Sequence, residues 1–498
     1  MDDWAELDRA LQDLVASGAI EVREDGEWLA GLSTLHYEVR RSGKSALVHL
    51  WSDERTLARR VLRVKEQSTE RLVLEVQRFG RSRPGRLEFL RTDSPRAAGR
   101  ITREQFRARF RRFLAERFPD STVDSLSASP DLEHSFSGVY VRGRMHEGTH
   151  EHALIAIAPG ENSTAVEGIL TFGILWLDWC RSHADKRAVD GLRVFLPEGT
   201  SRFIRERSLG LASHARLEIF EFNEREQRVQ RMDPADVGNL ESWLVPRRDV
   251  ECDLAAARDA VARVRSLAPQ GSELAGNLTA RSVPGTHEVA LCFRGLEFAR
   301  WSREGITFGL TDARERLTER TQPRLERLAR DLDLHRRSLA SGTNHPLYRA
   351  APERWLETLV LEEPARVNAQ LHPRYLYSEV PALAAGDRGV LDLLGVTLRG
   401  RLVVIELKAS ENIQLPMQAV DYWLRVRRHQ RIGDFQRFGY FAGVEISPEP
   451  PLVWLVAPAL RFHAATDTLV KYLSPEIHVT RIGINENWRR GVKVVFRQ

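Results

Sequence analysis

The chain has 498 residues, 42% of them hydrophobic, ample for a buried core and too long for one ordinary domain; three or four are expected. Charged residues are 29% and the formal net charge is +5, with only six lysines among the 74 basic residues. Arginine's planar fork suits phosphate, although its scatter along the whole chain also fits genome composition. The three cysteines, Cys180, Cys252 and Cys292, are far apart and lack CxxC spacing, so neither a disulfide framework nor a cysteine zinc site is indicated, and a reducing, cytoplasmic compartment fits. Met1 to Glu6 carries no secretory apolar segment, and the most apolar window, Gly168 to Leu177, is too short to span a bilayer. No GxxxxGK[ST] stretch occurs, so no nucleotide-driven motor is expected.

In chain order, residues 4–19 have helical periodicity through Trp4, Leu7, Leu11, Leu14 and Val15. Strands follow at Ser45–Trp51, Leu57–Val64 and Arg71–Val76, and the Arg-, Gly- and Pro-rich stretch 78–100 reads as a loop or boundary. A basic helix is expected over Thr102–Phe118, with Phe106, Phe110, Phe113 and Leu114 as its apolar stripe. An α/β pattern comes next: strands at Gly138–Val141, Ala153–Ala158 and Leu192–Pro197, an apolar helix over Val166–Cys180, and Ala215–Phe222 to close the unit. Pro234–Val250 suggests a junction, Leu254–Leu267 a helix, and residues 288–310 a small antiparallel sheet. Asp312–Leu339 reads as one long charged helix.

From Ala351 the pattern is helix (Pro352–Glu363), three strands and a helix (Pro416–Gln430). Strands at Gly439–Ile446 and Leu452–Ala457, a helix (His463–Tyr472) and two final strands complete it. The expected domains are therefore 1–100 (β-rich), 101–250 (α/β), 251–345 (small sheet and connector) and 346–498 (α/β).

Chemistry concentrates between Gly389 and Lys408. Two apolar strands, Val390–Val396 and Leu402–Lys408, carry Asp392, Glu406 and Lys408. Strand side chains alternate, so Glu406 and Lys408 share a face. Charges in an apolar strand are costly unless paired, and a divalent metal with a phosphate would pair them. Asp392 and Glu406 are fourteen residues apart across the turn Arg399-Gly400-Arg401, a spacing that fits adjacent antiparallel strands with converging carboxylates. Hard oxygen ligands of this kind suit Mg²⁺ or Mn²⁺. Gln418 and Tyr422 form an i, i+4 pair on the helix that follows, and Arg425, Arg427, Arg428 and Arg431 form a candidate phosphate-contacting track. His429, His463 and His478 are too widely spread to suggest zinc.

Asp392, Glu406-Leu407-Lys408 and Gln418-Ala419-Val420-Asp421-Tyr422 together resemble the PD-(D/E)XK nuclease superfamily, in its RecB-like branch with the QxxxY motif. The phrase around Gly389–Lys408 is similar to mismatch-type endonucleases and Holliday-junction resolvases. The resemblance covers residues 351–457, and Leu391 stands where the motif has its proline. It implies a multidomain α/β (α+β) protein with a restriction-endonuclease-like C-terminal fold. It further implies a metal held by Asp392, Glu406 and the Leu407 carbonyl, a catalytic Lys408, and Gln418 and Tyr422 as a bracket for the lysine or the DNA backbone. It also implies a first-helix glutamate near the metal: Glu357, with Glu353 on the same face as the fallback. The function expected is a metal-dependent nuclease acting on DNA, in repair, recombination or phage defence, with a second copy or another protein as partner and no membrane association. A non-catalytic nucleic-acid-binding sensor and an RNA-directed nuclease are the competing readings.

The two halves of the chain also look alike. Ala153–Asn162 can be laid against Val403–Asn412, which sets Ala156 against Glu406 and Ala158 against Lys408, with no acid near Val139–Val141 to match Asp392. Either the first half is a copy that has lost its charges, or two ordinary α/β segments coincide.

Overall fold

The computed structural model describes residues 4–498 except 17–19, 25–26, 32–35, 43–44, 52–55, 69–70, 78–83, 92–102, 132, 185–187, 238–243, 284–285, 311–313, 341 and 382–389. It is a mixed α/β structure that divides into two compact units, one of residues 1–101 with 307–325, the other of 102–306 with 326–498. No helix among the described residues is long and apolar enough to cross a membrane.

In the first unit the helix Trp4–Ala16 places Leu7, Leu11 and Leu14 on a seven-stranded antiparallel sheet, against Val22, Val48, Leu72, Leu74 and Phe89. The strand Gly85–Arg91 pairs on both sides within this sheet, although its surroundings read as a loop. Phe89 and Leu87, fully buried, supply the alternation that the neighbouring Arg and Pro obscure.

The second unit holds two six-stranded sheets of one design. The first runs Ser121–Ser127, Tyr140–Glu147, His150–Ile157, Val189–Pro197, Leu217–Asn223 and Arg228–Met232. The second runs Leu371–Pro381, Val390–Thr397, Leu402–Leu407, Leu452–Pro458, His478–Ile484 and Val494–Arg497. In both, strand order follows the chain, and the pairings are antiparallel, antiparallel, parallel, parallel, antiparallel. Parallel neighbours need a crossover. A long helix makes the first one (Ser163–Ser182 or Leu415–Arg431) and a short helix lies in the second (Arg202–Ser208 or Thr466–Lys471). A helix also precedes each sheet, Arg103–Arg117 and Pro352–Glu362.

The two halves pack as an isologous pair, in which equivalent surfaces exchange contacts. The long helix of each half lies on the short helix of the other. At the centre, residues 210–212 and 472–474 pair antiparallel: Ala212 N donates to Tyr472 O (2.9 Å), Ser474 N donates to Gly210 O (2.8 Å), and Leu211 faces Leu473. Gly210 leaves room for the helix Leu415–Arg431, since a Cβ there would lie 2.3 Å from Val420 Cγ1. One apolar core spans both halves, from Ile155, Ile169 and Leu177 to Val404, Val420 and Leu455.

Three more sequence expectations change. The segment 439–446 is not a strand, because residues 439, 441 and 443 all take left-handed backbone, and Tyr440 and Phe441 are buried from a turn instead. The helix expected from Asp312 begins at Gln322, with Pro323 in its first turn, preceded by the short strand Glu315–Arg316. Leu254–Leu267 belongs to two helices, Arg247–Ala256 and Arg258–Ser266.

Candidate metal and phosphate site

Asp392 and Glu406 come from neighbouring strands joined by the hairpin at 398–401. Gly400 sits in the turn at φ +80°, where a Cβ would lie 2.1 Å from the Glu445 carbonyl. The register pairs Leu393 with Ile405, one step from the two acids. Asp392 Oδ2 accepts a hydrogen bond from Leu407 N (2.9 Å), and Lys408 Nζ donates to Glu406 Oε1 (3.2 Å). Asp392 is half-buried, and the Glu406 side chain is only 3% exposed. Glu406 Oε2 is buried with no hydrogen-bond partner among the described residues, and so is Gln418 Oε1. A buried polar atom without a partner calls for an explanation, and a bound ion or water is one. Gly389, like Asp387 and Arg388, lies outside the described residues.

Burial, with Asp392 adding to it, pushes the Glu406 carboxyl up to about 8. Burial also raises Asp392, against the pull of Lys408 and the Leu407 N–H. It works against the Lys408 ammonium as well, yet Glu406 and Asp392 carry that pKa above the usual lysine value. Tyr422 is raised, first by burial and then by the fields of Glu406 and Asp392, which places its hydroxyl within reach of both acids' charge.

Of the two first-helix glutamates, the structure brings Glu353 to the hairpin. Its Oε1 accepts from Ala409 N (3.3 Å), and its charge acts on both Asp392 and Lys408. Glu357 is one turn further on. Its carboxylate takes Arg354 Nη1 (2.7 Å) and lies 3.7 Å from Arg281.

The arginine track divides. Arg425 is 5% exposed and faces Glu206 at 3.8 Å, so it belongs to the contact between the halves and not to a nucleic-acid surface. Arg427 is held by Gln430 (2.8 Å) and the Pro448 carbonyl (2.9 Å). Arg428 and Arg431 remain exposed, three residues apart on one face. Inside the QxxxY helix, Asp421 makes a buried two-pronged pair with Arg207 of the other half (2.9 and 2.6 Å). No sequence signal marks that pair, since its members lie 214 residues apart. The histidines stay dispersed, with His429 bonded to Asp434 (2.7 Å) and His478 to Arg401 (3.0 Å).

In the first half the equivalent positions are apolar. Counting from the strand ends at Ile157 and Leu407, Ala156 takes the place of Glu406 and Ala158 that of Lys408. Val141, opposite Ala156, takes the place of Asp392. All three are buried.

Among the described residues, no group of three or more His, Cys, Asp or Glu side chains is disposed to hold a metal. The two converging carboxylates, one with an unpartnered buried oxygen, still fit a hard cation that completes its shell with backbone or water oxygen. No family model and no curated protein matches the chain.

Proposed function

We propose that the chain is a metal-dependent nuclease that hydrolyses phosphodiester bonds of DNA, with a PD-(D/E)XK site in a restriction-endonuclease-like C-terminal half. The observation that carries this reading is the constellation of Asp392, Glu406 and Lys408, in which the buried Glu406 Oε2 has no partner among the described residues. A folding role does not explain it, because the same sheet design in the first half does without these charges.

Asp392 and Glu406 would hold Mg²⁺ or Mn²⁺, with the Leu407 carbonyl as a further ligand. Bound there, the ion supplies charge neutralisation at the phosphate and a lowered pKa for water. Lys408 keeps a proton on Nζ and donates it in a hydrogen bond, either to a phosphate oxygen that gains charge or to the attacking water. Gln418 presents an unpaired amide oxygen that can accept a hydrogen bond from the lysine. Glu353 anchors the backbone just past Lys408. Arg428 and Arg431 offer exposed charge to the DNA backbone.

The test is cleavage in Mg²⁺ or Mn²⁺ of linear, nicked, mismatched, branched and single-stranded DNA, and of RNA. Cutting by wild type that persists equally in Lys408→Ala overturns the catalytic assignment. The competing reading, a non-catalytic nucleic-acid sensor, draws on the small number of side-chain ligands. Tight binding of DNA without cutting in either metal would establish it.

A further inference from the structure

A polar cavity of about 390 Å³ opens beside the first helix of the C-terminal half, lined by Tyr348, Arg349, Glu486, Asn487, Arg489 and Arg490 among others. Its size is that of a small-ligand site. Its charge is one-sided. None of the three arginines has a carboxylate partner among the described residues, and the Glu486 carboxylate is engaged by Leu460 N (2.9 Å) and faces Arg461 (3.8 Å). Arg349 is held by the Thr343 carbonyl (3.3 Å) and the Asn344 side chain. Arg489 is half-buried, its guanidinium stacked over Trp488 (4.2 Å), Tyr348 (4.8 Å) and Trp355 (5.2 Å), and its Nε is buried without a hydrogen-bond partner. Arg294 and Arg336 lie over the same Trp355 ring at 5.0 and 4.8 Å, the first paired with Glu273 and the second bonded to the Leu347 and Ala350 carbonyls. Burial works against the Arg489 charge and Arg349 adds to that, while Tyr348 and Glu353 oppose it.

A guanidinium clamped by three rings, with a buried donor unused and two further arginines beside it, is built for an anion. Glu353 ties this cavity to the candidate site: it shares a helix with Trp355, the ring beneath Arg489, and its Oε1 accepts from Ala409 N, next to Lys408. Three guanidiniums match the near-double charge of a terminal phosphate, about −1.5 to −2, better than the single charge of a phosphodiester. We propose that this cavity binds the terminal phosphate of a nucleic-acid strand, next to the place where the strand is cut. The proposal rests on the nucleic-acid part of the function proposed above, not on catalysis.

The test is fluorescence anisotropy in EDTA with two 3′-labelled DNA strands that differ only in a 5′-phosphate or a 5′-hydroxyl end. Wild type is expected to bind the phosphorylated strand about tenfold more tightly, the worth of roughly one charge-assisted hydrogen bond. Inorganic phosphate should remove that difference. Arg490→Gln, at an exposed position, and Arg489→Gln should lose it, while Lys408→Ala should keep it. Equal affinity of wild type for the two strands overturns the proposal, as does a preference that survives both arginine variants. Thermal stabilisation of wild type by inorganic phosphate without any strand preference assigns the cavity to a free phosphate compound and overturns the strand-end assignment. A preserved preference with no cleavage under any condition overturns the nuclease reading alone.

Discussion

Val141, Ala156 and Ala158 in one half of the second unit stand where Asp392, Glu406 and Lys408 stand in the other. The strands share order, direction and crossover helices. The first half fills these positions with buried apolar side chains, which folding favours without further help. The second half keeps a carboxyl group under enough desolvation to hold its proton to about pH 8. Burying a charge or an unsatisfied acceptor opposes folding. Such residues are kept at functional sites and compensated elsewhere. The apolar half thus serves as an internal control for the charged one.

The largest expected effect tests whether chemistry is confined to one half. Lys408→Ala and Asp392→Ala should lower metal-dependent cleavage by about 10²-fold or more, with circular dichroism unchanged. Val141→Ala, at the matching position, should leave the rate within about twofold, since it touches no reacting group. Loss of cleavage in Val141→Ala with its fold intact would break the contrast.

A chain with one charged constellation should cut one strand per encounter. Supercoiled circular DNA is expected to become nicked first, with linear product appearing later and rising with protein concentration. Linear product that appears together with the nicked form at every concentration would require a second cutting centre, and so a second competent half.

The contact between the halves is unequal, and stability measurements sharpen that point. Arg207→Ala leaves the Asp421 carboxylate buried and unpaired and should cost about 3–5 kcal/mol in denaturant unfolding. Arg207→Met combined with Asp421→Leu should recover most of the loss. Thr171 Oγ1, which bonds Gln414 across the same contact, should matter less: Thr171→Val is expected to cost about 1 kcal/mol.

A further contrast lies in the pH dependence of the metal-free protein. The Glu406 pKa is raised from 4.5 to about 8 on folding, so its contribution is fully present below pH 4.5 and lost as pH rises through 8. Stability should therefore fall across that window, and Glu406→Gln should flatten the slope. The first half has no titratable group at this position. A slope unchanged by Glu406→Gln would remove Glu406 as its source.

The hairpin and its charges were legible because period-two alternation in an apolar strand makes an acid conspicuous, and the long helices because their stripes are unbroken. The choice between Glu353 and Glu357 was not legible, since residues four apart share a helix face and only packing decides which turn meets the hairpin. Arg425 looked like surface charge because its partner Glu206 comes from the other half. The apparent strand at 439–446 failed for a local reason, since aromatic residues favour strands but left-handed backbone at Phe441 ends one. The shared topology of the halves was faint in sequence, because apolar residues substitute freely for one another while strand order is kept.

The antiparallel contact of Leu211 with Leu473 has one more consequence. Two separate copies joined through such a surface would dissociate on dilution, and any mutation would alter both alike. Within a single chain, partner and concentration are fixed together. A mutation here falls on one side only, so symmetry in the backbone is compatible with asymmetry in the chemistry. One side can lose its charged residues while continuing, through Arg207, to hold the helix that carries Gln418 and Tyr422.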